Sequence, residues 1–140
     1  MKLKKIVYKN HDILGDLEIN FTDNLGKTKD LIFLAGENGC GKTTIINDIF
    51  DAFSYNDLNF YEIDLELSAS DIEYLKKTHE AMFIGFTKKV LIIRKSEKEG
   101  QYEVNVDNAY KTIPGNPLRL LKLPNIAKCL YSVAEINFSG

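Results

Sequence analysis

The sequence predicts an α/β fold, a mixed sheet around one helix with an additional antiparallel β region. Three observations carry that prediction. Gly36-Glu37-Asn38-Gly39-Cys40-Gly41-Lys42-Thr43 fits the phosphate-loop pattern G-x-x-x-x-G-K-[ST] at every defined position, and such a loop joins a strand to a helix. Before it, Asp30-Leu31-Ile32-Phe33-Leu34-Ala35 is a continuous apolar run, suited to a strand buried on both faces. Alternating segments lie on both sides of the loop, which rules out a plain strand–helix alternation.

The elements follow in order. Residues 2–9 and then Leu17-Glu18-Ile19-Asn20-Phe21 alternate as strands, the second strictly. Asn24-Leu25-Gly26-Lys27 is a polar turn leading into the apolar strand. After the loop, Ile45, Ile46, Ile49, Phe50, Ala52 and Phe53 recur at helical spacing and define one buried stripe. That helix runs from about Lys42 to the turn formers Tyr55-Asn56-Asp57. Residues 61–67 alternate with Glu62, Asp64 and Glu66 on one face, which is read as a solvated edge rather than a metal site. Ser70-Asp71-Ile72-Glu73 reads as a capping box opening a helix that reaches Met82. Residues 88–95 read as a buried strand, turned by Glu97-Lys98-Glu99-Gly100 into a second strand over 101–106. Residues 108–125 hold Pro114, Pro117 and Pro124 and read as loop with one helical turn. Residues 129–138 read as a last strand.

Phosphate chemistry explains the residue types in the loop. A backbone that turns its N–H groups onto a polyphosphate must approach closely, which Gly36, Gly39 and Gly41 permit. Lys42 supplies a point charge for the β/γ-phosphates, and the Thr43 hydroxyl suits one Mg²⁺ coordination position. The following helix offers unpaired N–H groups and the positive end of its dipole. The expected nucleotide-binding set is Gly36, Glu37, Asn38, Gly39, Cys40, Gly41, Lys42, Thr43 and Thr44. Lys42 is the catalytic candidate, and Thr43 the metal ligand.

Composition narrows the class. One hundred and forty residues make a single domain, and 44% hydrophobic residues suffice for a sizeable core. A net charge of −2 gives no overall attraction to nucleic acid or anionic membrane, and the lysine clusters read as solvated strand faces. Cys40 and Cys129 are too few for a metal quartet or a disulfide framework. No transmembrane run or signal-peptide core is legible, so the expected location is the cytoplasm. His79 sits near a helix end, where a cation suits the dipole.

With these residues in hand, the chain resembles the N-terminal lobe of an ABC-type ATPase head of the SMC, Rad50 and RecF group. That group of P-loop NTPases, within the wider AAA family, includes ATPases of bacterial anti-phage systems. The resemblance rests on Leu3-Lys4-Lys5-Ile6-Val7-Tyr8-Lys9-Asn10, on the Asn38-Gly39 centre of the loop, and on Thr44-Ile45-Ile46-Asn47-Asp48-Ile49. It covers roughly the first 55 residues. It departs after Asn10, where the group often has a basic residue that approaches the nucleotide; here His11 and Asp12 follow, so a phosphate contact from this loop is not expected, and His11 reads as a surface histidine before a ring stacked on the base.

The resemblance implies a P-loop NTPase half-head that binds ATP and Mg²⁺. In such heads ATP joins two copies into a dimer, hydrolysis parts them, and the longer protein acts on DNA or in defence. The group's Walker B and signature motifs are not found. Residues 130–135 lack an Asp-Glu pair, Leu67-Ser68-Ala69-Ser70 and Phe138-Ser139-Gly140 are poor matches to the signature, and Gln101, the one glutamine, falls in a hairpin. The chain is therefore expected to be part of a longer ATPase, binding ATP without hydrolysing it alone. A nucleotide-regulated interaction module using residues 113–124 is the alternative. A GTPase or kinase fits less well, because no Asn-Lys-x-Asp motif is present and Asp12-Ile13-Leu14-Gly15 precedes the loop.

Overall fold

In the computed structural model, residues 1–21, 42–107 and 109–123 are described, Lys42 and Thr43 by their backbone alone. The strands are β1 (Lys2–His11), β2 (Gly15–Asn20), β3 (Glu62–Glu66), β4 (Val90–Lys95), β5 (Gln101–Val106) and β6 (Ala109–Pro114). The helices are α1 (Lys42–Ala52), α2 (Ala69–Thr78), α3 (Glu80–Phe83) and α4 (Pro117–Leu121). The strands join into one sheet in the order β2-β1-β3-β4-β5-β6, and every neighbouring pair is antiparallel. Among the described residues the expected antiparallel region is thus a continuous six-stranded sheet, and no parallel pair of the expected mixed sheet is found there. The expected strands at 30–35 and 129–138 lie outside the described residues.

Short connections set three of these pairings, β1–β2, β4–β5 and β5–β6. Residues 12–14 link β1 to β2, and Gly15 at φ 64° takes the left-handed conformation that rejoins the strands without strain. β1 carries a bulge at Lys4, since Leu3 opposes Leu65 while Lys5 opposes Asp64. The extra residue explains why Leu3, Ile6 and Tyr8 all reach the core despite broken alternation. Beyond β1, Ile63 and Leu65, Leu91 and Ile93, and Tyr102, Val104 and Val106 fill the same core from β3, β4 and β5.

Four expectations from the sequence are corrected. The prolines of 108–125 suggested loop, yet β6 pairs with β5 from Gln101↔Pro114 to Val106↔Ala109. Asp107, at φ 58°, begins the tight turn, and Pro114 closes an edge strand where its missing N–H costs little. The cap of α2 is Ser68 rather than Ser70: its side chain accepts from the Asp71 backbone N–H, and the Asp71 carboxylate accepts from the Ser68 backbone N–H at 2.9 Å. That reciprocal pair satisfies two orphan amides two residues upstream of the expected box. The helix does not run unbroken to Met82, because His79 leaves helical geometry at φ −124°, ψ 50° and separates α2 from α3. Finally, β3 is no edge strand; it lies between β1 and β4.

Candidate nucleotide-binding site

Helix α1 carries the described part of the expected site. Its sequence, KTTIINDIFDA, is rich in β-branched residues of modest helix propensity, so the helix depends on burial. The expected stripe is found: Ile45, Ile46, Ile49, Ala52 and Phe53 are buried, and Phe50 packs partly against the core. Lys42 and Thr43 are its first two residues, and its first turn holds no acidic side chain. The positive end of its dipole is left without a carboxylate of its own there. α2 differs, carrying Asp71 in its first turn. Thr44 is half-buried, and Gly36, Glu37, Asn38, Gly39, Cys40 and Gly41 lie outside the described residues.

Polar side chains that the sequence did not single out hold α1 in place. The Tyr8 hydroxyl of β1 donates to Asp48 Oδ2 at 2.9 Å in a buried contact. Asn59 Nδ2, from the connection after α1, donates to Asp48 Oδ1 at 2.9 Å. Burial first, and then the Asp48 acceptor, push the Tyr8 phenol far above its ordinary range, so it stays a donor. At the other end of α1, Asn116 is fully buried, and its Nδ2 donates to the carbonyls of Ala52 at 2.6 Å and Tyr55 at 2.8 Å. The first is a carbonyl that the helix end leaves unpaired, and the second belongs to the turn that follows. Asn116 Oδ1 in turn accepts from the Leu118 backbone N–H at 3.0 Å and caps α4. Tyr102 Oη accepts from the Leu58 backbone N–H at 2.8 Å, fixing the segment between α1 and β3.

His11 has a local role. Its Nδ1 accepts from the backbone N–H groups of Ile13 and Leu14, both at 3.1 Å, and its ring meets Tyr8 edge-on with centroids 5.0 Å apart. It folds the β1–β2 turn. His79 does more than face a dipole: its Nε2 lies 3.0 Å from the Leu121 carbonyl, which also accepts from Tyr74 Oη at 3.0 Å. This contact docks α4 on the α2–α3 corner.

The face expected to be solvated is partly buried. Asp64 is 7% exposed at the centre of the sheet. Lys5 Nζ reaches Glu62 Oε2 at 3.3 Å, Glu18 Oε1 at 3.5 Å and Asp64 Oδ2 at 3.7 Å. Asp64 Oδ1 is buried without a hydrogen-bond partner. Burial, and then neighbouring Glu62, push the Asp64 carboxyl up to about 7 against the opposing pull of Lys5. Farther along this face, Arg94 of β4 bonds Glu103 of β5 at 2.8 Å and stacks on Tyr110 of β6. Among the described residues, no group of three or more His, Cys, Asp or Glu is placed to hold a metal ion. None of the described helices is long and apolar enough to cross a membrane.

No family model, curated protein or solved structure matches the chain.

Proposed function

We propose that this chain binds ATP with Mg²⁺ through residues 36–41 and the start of α1, as the N-terminal lobe of a longer P-loop ATPase. Two facts together support this. The phosphate-loop pattern is complete at every defined position, and a helix of 11 residues begins at Lys42, where that pattern requires one. Gly36, Gly39 and Gly41 would turn the backbone onto the phosphates, with Glu37, Asn38 and Cys40 completing the cradle. Lys42 would neutralise β/γ-phosphate charge, while Thr43 would ligate Mg²⁺ and Thr44 extend the first turn. Thr43 would hold a magnesium ion there, which would offset phosphate charge.

In the longer protein, ATP would join two such heads into a dimer, acting in DNA maintenance or anti-phage defence in the cytoplasm. Hydrolysis would need groups from beyond this lobe, so the chain by itself binds ATP without turning it over. Isothermal calorimetry of the purified chain tests the central point. We expect heat from ATP in magnesium buffer, and Lys42→Ala should weaken the affinity by at least about tenfold through loss of the phosphate charge. No heat from any purine triphosphate would refute the proposal. Sedimentation with and without ATP tests dimer formation; uptake of ATP without association would favour a nucleotide-regulated interaction module.

A further inference from the structure

We propose that Asp48, held by Tyr8 and Asn59, is a positioning residue that sets where α1 begins and so tunes nucleotide affinity. The inference rests on the nucleotide-binding proposal above and adds to it the device that aligns the site. Apolar packing alone would leave the helix poorly placed. Ile45, Ile46, Ile49, Ala52 and Phe53 are buried, but such burial is non-directional and tolerates small axial shifts and rotations. Hydrogen bonds do not, since they weaken steeply with distance and angle.

Asp48 is 8% exposed and its two carboxylate oxygens are taken from two directions. Tyr8, 1% exposed, approaches Oδ2 from β1, and Asn59 approaches Oδ1 from the α1–β3 connection, both at 2.9 Å. The Tyr8 ring is itself held edge-on by Phe60 and His11, with centroids at 5.2 Å and 5.0 Å. A rigid donor from the sheet and a second from the loop therefore pin one point on the helix axis. Asp48 lies six residues after Lys42, about 9 Å along the axis at the usual helical rise. A helix pinned there carries its own first turn with it, and charged ligands lose affinity when their partners move by even an ångström.

The test measures MgATP affinity by calorimetry in the full chain for wild type, Tyr8→Phe, Asp48→Ala, Asp48→Asn and Ser68→Ala, at a temperature where each is folded by circular dichroism. Tyr8→Phe should weaken binding about fivefold and Asp48→Ala about tenfold. Asp48→Asn keeps an oxygen for Asn59 and offers its amide to the Tyr8 oxygen, so it should stay within about twofold of wild type. Ser68→Ala removes the α2 cap and lowers the melting temperature, but should leave affinity unchanged. If Asp48→Ala fails to fold, Tyr8→Phe decides the matter, because only a hydroxyl is removed. Wild-type affinity in Tyr8→Phe, or equal weakening in Ser68→Ala, would overturn the positioning role alone. Absence of binding in wild type would overturn the nucleotide proposal with it.

Discussion

Asp64 is a carboxyl buried in a setting unusual for its type. A carboxyl held at about 7 instead of 3.8 favours its protonated form in the folded chain. The sign follows from linkage. The stability from this group is full below pH ~4, falls as pH rises, and is lost above about 7. The loss is on the order of 2–4 kcal/mol. An amide does not titrate, so Asp64→Asn should gain about 2 kcal/mol on wild type between pH 5 and pH 8. Urea unfolding of both proteins at the two pH values measures this, and an unchanged difference between them would rule it out. Asn116 is the second residue with an outsized effect. Asn116→Ala would strand the carbonyls of Ala52 and Tyr55 and uncap α4, costing about 2–4 kcal/mol. Thermal or denaturant unfolding at neutral pH checks it, and a loss under about 1 kcal/mol would show those carbonyls are satisfied otherwise.

Elements differ in how far local pattern foretells them. Strands β1 to β5 and helix α1 announce themselves by apolar period, because each buries one face against a common core. β6 does not: only two of its six residues, Tyr110 and Ile113, are large and apolar, and most of it is exposed. An edge strand needs little apolar surface, since pairing with β5 supplies its hydrogen bonds. The cap of α2 was misplaced for a related reason. Ser68 and Ser70 both precede acids at suitable spacing, and only the packing of Leu67 and Leu75 on the core chooses between them. His79 then breaks the helix so that α4 can dock against it. In the candidate site, whose expected loop lies outside the described residues, the apolar stripe of α1 was legible. Tyr8, Asn59 and Asn116 were not, because a polar residue shows no sequence sign of a partner 40, 11 or 64 positions away.

At the scale of the whole molecule, the sheet and α1 form one core, so ligand binding at the start of α1 should stabilise the entire fold. If MgATP binds only the folded chain, a concentration 100-fold above Kd adds about 2.7 kcal/mol. For 140 residues that corresponds to a rise in melting temperature of roughly 5–10 °C, read by scanning calorimetry. Lys42→Ala should melt near wild type without nucleotide and show little of this rise with it. An equal rise in both proteins would place the ligand elsewhere.

Periodicity and spacing alone were enough for the strands that face the core, the buried stripe of α1, and the phosphate-loop pattern, because each is written in residues close together along the chain. Folding decided the rest. It placed β3 inside the sheet, turned a supposed edge carboxylate into a buried one, and brought Tyr8 and Asn59 to Asp48. These outcomes depend on which strands become neighbours, and that is settled by the collective burial of surfaces from all along the chain.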